Sequence, residues 1–162
     1  MSLFNWGNNT PSQPEPTQSE SLRRKKEFCA YLDREGKYYS EMDSDPTSVY
    51  MKYGGGDFCF DSLTCFIDFD PSSNGKGTNI HLYIPCVGKF PGAKRLKGLE
   101  MCNKITKDKR WLRPYIDKDD DLCFDADMHT MGGNAAEDTL RLVQIVMSII
   151  DDVYQEIQQA MW

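Results

Sequence analysis

The sequence predicts a single α+β domain in which helices flank one antiparallel sheet, in the element order α-β-β-β-β-α-β-β-α. Three segments, near the start, in the middle and at the end of the chain, carry apolar residues at helical spacing. The segments between them alternate apolar and polar residues, as strands do, and their connections are short and contain Gly, Asn, Asp and Pro. A chain of 162 residues is large enough for one core.

Composition narrows the function classes. Apolar residues at 40% and charged residues at 27% are typical of globular proteins. A formal net charge of −6 argues against a protein that mainly neutralises phosphates, so we expect no nucleic-acid partner. The longest apolar run, residues 142–150, is short and interrupted by Gln144 and Ser148, so no membrane span is predicted. The first residues do not have the pattern of a secretory signal, and the chain is expected to stay in the cytosol.

The cysteines are predicted to be free thiols that act as small buried apolar residues. None lies in a C-x-x-C pair, and no His lies at zinc spacing from any of them. A reducing cytosol favours the thiol form. A redox sensor is the alternative, but nothing in the sequence supplies the positive surroundings that lower a thiol pKa. The six are Cys29, Cys59, Cys65, Cys86, Cys102 and Cys123.

The chain is expected to begin with a disordered tail, residues 1–18, followed by one domain, residues 19–162. The tail is rich in Asn, Pro, Ser, Thr and Gln. Phe4 and Trp6 leave open a second interpretation, a short aromatic docking peptide. The first helix is predicted to start near residues 17–21, where Thr17 and Glu20 form a capping box, and to end at Gly36.

Four strands follow, over residues 37–42, 48–53, 63–70 and 78–84. A turn is predicted at residues 45–48, and Asn74 with Gly75 supplies the tight turn between the third and fourth strands. His81 falls on the polar face of the fourth strand. A lone His on such a face is interpreted as a solvated or hydrogen-bonded residue rather than a metal ligand.

The second helix carries Leu96, Leu99, Cys102 and Ile105 at helical spacing, and these residues are predicted to form its buried face. Residues 89–110 include eight basic side chains against two acidic ones. This stretch could meet an acidic partner or the acidic C-terminal third of the chain itself. We favour the second interpretation, because the acidic balance elsewhere in the chain is sufficient for it.

Six aspartates lie between Asp117 and Asp127, and we interpret them as part of a β-hairpin. Residues 110–116 and 122–128 both alternate with period two around the connection "DKDDD". An antiparallel register that aligns the apolar residues places Ile116 opposite Leu122 and Arg113 opposite Asp125. In the same register Trp111 would face Asp127.

A metal or catalytic site is the alternative use of these aspartates. The pattern of a helix–loop–helix calcium site is half missing, because Leu122 stands where a Gly is needed and Met128 where a Glu is needed. Asp125, Asp127 and His129 share one face of the strand and could serve a metal-dependent enzyme or a metal-responsive regulator. No nucleophile in its usual turn accompanies them, so we assign no catalytic, cofactor-binding or metal-binding residue.

The last helix is predicted to start at Asn134 as N-cap and to run to about Gln158. It carries two adjacent apolar stripes. One stripe suffices to cover a sheet, so the second needs the first helix or a second subunit. A homodimer is therefore one of the expected assemblies.

The C-terminal segments "LEMCNKITKDKRWLRPYIDKDDDLCFDADM" and "GGNAAEDTLRLVQIVMSIIDDVYQEI" resemble the YbjN family, described as bacterial sensory transduction regulators. Family members often have a second Asn where this chain has Thr106, and a Gly in the hairpin turn. The resemblance implies an α+β fold like that of type III secretion chaperones, often dimeric. It implies no established catalytic residues and no cofactor.

The leading functional hypothesis is therefore a non-enzymatic, cytosolic protein-interaction module, chaperone-like or regulatory, with a protein partner that the sequence does not identify. Its predicted contact residues are Trp111, Arg113 and Tyr115, which share the outward face of the hairpin. Aromatic and Arg side chains are common anchors at protein interfaces. Cover by a neighbouring helix is the alternative explanation for the same residues.

Overall fold

The computed structural model of the protein describes residues 18–56, 58–71, 77–131 and 133–162. It confirms the predicted α+β class and element order. Residues 1–17, which include Phe4, Trp6 and Thr17, and the predicted Asn74-Gly75 turn lie outside the described residues. The elements are α1 (Gln18–Arg34), β1 (Ser40–Met42), β2 (Asp45–Tyr53), β3 (Leu63–Pro71), β4 (Thr78–Lys89), α2 (Arg95–Asp108), β5 (Arg113–Ile116), β6 (Asp121–Thr130) and α3 (Ala135–Met161).

The described strands form one antiparallel sheet in the order β1-β2-β3-β4-β6-β5. One face of this sheet is apolar because the strands alternate. In β3, Leu63, Cys65, Ile67 and Phe69 are buried, whereas the residues between them are only half-buried. Phe28 and Leu32 of α1, Val143 and Ile150 of α3, and Cys102 and Ile105 of α2 join that face in a single core cluster.

Both apolar stripes of α3 are covered largely within the chain. Leu142, Val146 and Val153 of the second stripe are buried, and only Ile145 is 38% exposed. The first helix contacts α3 directly, as does α2. The first helix, one of the two elements expected to cover the second stripe of α3, is thus in contact with this helix. Asn134 occupies the N-cap position, but its side chain makes no capping hydrogen bond.

The predicted buried face of α2 is wrong at two positions. Cys102 and Ile105 are buried, but Leu96 and Leu99 are 67% and 42% exposed. The helix instead buries Gly98. A Cβ placed on Gly98 would lie 2.8 Å from Cγ of Phe90, so the missing side chain is what allows α2 to approach this closely.

Two further predictions need correction, the turn at residues 45–48 and the burial of all the cysteines. Residues 45–48 belong to β2, and the turn lies at Asp43 and Ser44, because β2 pairs with β1 from Asp45 onwards, opposite Met42. Cys59 and Cys86 are exposed, since both lie where regular structure is interrupted, whereas the other four cysteines are buried. All six are free thiols.

Candidate functional site

The aspartate cluster forms a turn in which backbone N–H groups donate hydrogen bonds to an aspartate carboxylate of the same turn. The Asp117 carboxylate accepts hydrogen bonds from the backbone N–H groups of Asp119, at 2.8 Å, and Asp121, at 2.9 Å. These bonds, the one from Asp121 foremost, lower the pKa of Asp117. The hairpin register is the predicted one, with Arg113 opposite Asp125 and Ile116 opposite Leu122. The interpretation of this segment as a hairpin is confirmed.

Four of the eight basic side chains of residues 89–110 pair with acidic residues of the C-terminal third of the chain, as we expected. They reach the tip of the β5–β6 turn and the exposed side of α3. The ion pairs are Lys89–Asp121 (3.0 Å), Arg95–Asp120 (2.5 Å), Lys104–Glu156 (2.6 Å) and Lys109–Asp152 (2.9 Å). The acidic turn and the basic helix therefore stabilise each other, and the turn aspartates are engaged by protein cations.

The opposite face of the sheet, which we call the open face, carries a continuous row of cross-strand neighbours. The row runs from β2 to β5 through Tyr50, Phe66, Tyr83, Asp125 and Arg113. The ring centroids of Tyr50 and Phe66 are 5.9 Å apart, and those of Phe66 and Tyr83 are 6.2 Å apart. None of these rings belongs to the core cluster, and all three are half-buried. In the described part of the chain, the helices join the core on the other face.

Two of the three predicted contact residues lie on this face. Arg113 is exposed and Tyr115 is half-buried, both on β5. Trp111 does not continue the strand, because its φ of 75° breaks the extended backbone before Arg113. It is 69% exposed and is not paired with Asp127. Cover of Trp111 by a neighbouring helix is thus wrong, and so is its predicted place in the hairpin register.

A polar group adjoins the aromatic row, and His81 is at its centre. His81 Nδ1 lies 2.8 Å from Oδ1 of Asp127, and the Arg113 guanidinium lies 2.5 Å from Oδ2 of the same carboxylate. Burial alone would raise the pKa of Asp127, but these two partners outweigh it and lower the pKa. One row further along, His129 Nδ1 lies 2.9 Å from Oδ1 of Asn79.

The carboxylate of Asp125 is less well hydrogen-bonded than that of Asp127. Its Oδ1 atom is buried without a hydrogen-bond partner, and Arg113 lies 3.9 Å from its other oxygen. Burial raises the pKa of Asp125. The carboxylate is thus held in the sheet at a cost in stability.

The three residues of the metal-dependent alternative lie on one face of the sheet, but two of them are bound to other side chains. Asp127 is bound to His81 and Arg113, and His129 is bound to Asn79. Among the described residues, no group of three or more His, Cys, Asp or Glu side chains is arranged to hold a metal ion.

Sequence reasoning missed the aromatic row. Tyr50, Phe66 and Tyr83 each stand at a polar-face position of a strand, which is the signal that could have drawn attention to them. Their alignment depends on the registers of two strand pairs, β2 with β3 and β3 with β4, and the alternation within each strand does not fix these registers.

Comparison with known proteins adds no assignment: neither a family model nor a curated protein matches this chain. Within the described residues, no helix has the length and apolar character needed to cross a membrane.

Proposed function

We propose that the protein is a non-enzymatic, cytosolic protein-interaction module, chaperone-like or regulatory, and that it binds its partner through the open face. The observation that carries the proposal is the row of Tyr50, Phe66 and Tyr83, on a face that no described helix covers. The solvated face of an antiparallel sheet is ordinarily polar. A row of aromatic rings on such a face is typical of a surface that meets another molecule.

Two further observations support this proposal. Arg113 and Tyr115 extend the row to the edge strand β5, and Arg and Tyr are enriched at protein interfaces. The resemblance to the YbjN family, over residues 99–128 and 132–157, implies a chaperone-like or regulatory role without established catalytic residues. A second copy of the chain is one candidate partner, alongside a different protein.

The test is quantitative capture of partners by the immobilised full chain from a native lysate, read by mass spectrometry. Phe66→Ser combined with Tyr115→Ser removes two aromatic side chains from the open face. The matched control, Leu96→Ser with Leu99→Ser, removes two exposed apolar side chains from α2. We expect the first double variant to lose the partner and the control to retain it. Circular dichroism should show that both variants are folded.

Equal capture by the wild type and the open-face variant would contradict the proposal. Trp111→Ala, measured alone, then decides whether the exposed indole two residues before β5 is the true anchor. Recovery of the chain itself as the single captured protein would assign the face to self-association, which light scattering of the purified chain checks independently.

A further inference from the structure

Two carboxylates on the open face have no partner within the described part of the chain. Asp68 and Asp70 lie two residues apart on β3 and so project from the same face, about 7 Å from each other. Neither side chain makes a hydrogen bond or an ion pair with any described residue. Burial, followed by the charge of Asp68, raises the pKa of Asp70. An approaching cation would offset both effects, because it stabilises the ionised carboxylates.

The surroundings of these carboxylates are negative. Asp68 pairs across the sheet with His81, and Asp70 with Asn79. We call Asp68, Asp70, Asn79, His81, Arg113, Asp125, Asp127 and His129 the acid–imidazole patch; four carboxylates against one guanidinium give it a formal charge of −3 with the imidazoles neutral. Part of the patch borders a depression of about 470 Å³. Such a charge repels nucleic acid and attracts positive groups.

The aromatic row lies beside the patch, so one ligand could use both. Phe66 precedes Asp68 on the same face of β3, and Tyr83 lies next to His81 on the same face of β4. A Lys or Arg side chain that reaches Asp68 would lay its apolar stem along these rings, where a cation–π contact adds to the ion pair. Carboxylates next to aromatic rings thus favour a long cationic side chain over a small ion.

A second copy of the chain fits this face poorly. The copy would bring an open face with the same negative patch, and like charges across an interface oppose association. Half of the basic stretch of the copy is already engaged, because Lys89, Arg95, Lys104 and Lys109 are paired with acidic residues of their own chain. The charge of the patch therefore favours a different protein as partner.

We propose that the open face docks a cationic segment of another protein, whose Lys or Arg side chains pair with Asp68 and Asp70 while their stems pack on Phe66 and Tyr83. This inference rests on the proposed function and specifies the chemistry of the partner. It also assigns a role to two carboxylates that make no hydrogen bond or ion pair in the described ranges of the chain.

The probe is a fluorescein-labelled nonapeptide of arginine, titrated into the full chain at low salt, with a nonapeptide of glutamate as the opposite-charge control. We expect the double variant Asp68→Asn with Asp70→Asn to bind the arginine peptide roughly fivefold more weakly. The matched control, Glu137→Gln with Asp138→Asn, removes the same charge from exposed positions on α3 and is expected to change the affinity less than twofold. Amide shifts in the wild type should concentrate on β3 and β4.

Three outcomes would overturn the inference: equal weakening in both double variants, amide shifts on α2 or α3 alone, or saturable calcium binding that the Asp68→Asn and Asp70→Asn changes abolish. The last would assign the carboxylates to a metal ion. Loss of partner capture by the Phe66→Ser and Tyr115→Ser variant, together with no preference for the cationic peptide, would leave the proposed function standing and refute only the charge of the partner.

Discussion

Replacement of Gly98 by Ala tests whether α2 is fixed against the sheet edge that carries Arg113. The new Cβ would lie 2.8 Å from Cγ of Phe90 and 2.9 Å from Cδ1 of Ile116, whereas carbon atoms in ordinary contact lie about 3.5–4.0 Å apart. The Phe90 side chain is fully buried and cannot swing into solvent. Overpacking of this kind costs about 1–3 kcal/mol, and replacing a helical Gly by Ala returns about 1 kcal/mol.

Because two side chains are met below 3.0 Å, we take the upper part of that range and expect Gly98→Ala to lower the free energy of unfolding by about 1–2 kcal/mol. Urea unfolding followed by circular dichroism should show a lower midpoint with an unchanged slope. Asn103→Ala, at an exposed position of the same helix, measures the gain in helix propensity alone. A Gly98→Ala protein as stable as the wild type would refute the close packing of α2.

Two further predictions concern burial. Asp125→Asn should stabilise the protein at pH 7, and this gain in stability should shrink as the pH is lowered towards 3. Because the pKa of Asp125 is raised in the folded state, ionisation of its carboxyl destabilises the folded state above the unfolded-state pKa of about 3.9. This destabilisation disappears at low pH, where the carboxyl is protonated in both states. Urea unfolding across this pH range checks the sign, and a gain that grows in acid would contradict it. A thiol reagent should modify Cys59 and Cys86 in the native protein, Cys86 more slowly because burial raises the pKa of its thiol, and all six cysteines only after unfolding. Rapid modification of Cys65 in the native protein would show that the core opens.

Local patterns predicted the elements with few errors, because each pattern reports on contacts within one element or one hairpin. The order of helices and strands and the register of the β5–β6 hairpin follow from alternation and turn chemistry alone. The assignment of the aspartates to a turn follows in the same way, since Asp117 binds backbone groups two and four residues away.

Errors arose where a neighbour distant in sequence decides the outcome. The periodicity of α2 favours burial of Leu96 and Leu99, yet the helix turns Gly98 towards Phe90 and Ile116 because the smallest residue permits the closest approach. Alternation places Trp111 in a strand, but its φ is positive and the strand begins only at Arg113.

The candidate binding surface belongs to the tertiary structure. Alternation along the chain was enough to place Arg113 and Tyr115 on one face, and the distribution of charge was enough to predict ion pairs between the basic stretch and the same chain. The sequence alone could not bring Tyr50, Phe66 and Tyr83 into one row, or show that two carboxylates of β3 make no hydrogen bond or ion pair with the residues that the structure describes. Those arrangements depend on the order of the strands in the sheet and on the registers between them. Both are fixed only when the whole domain folds, because the helices must pack against the other face of the sheet.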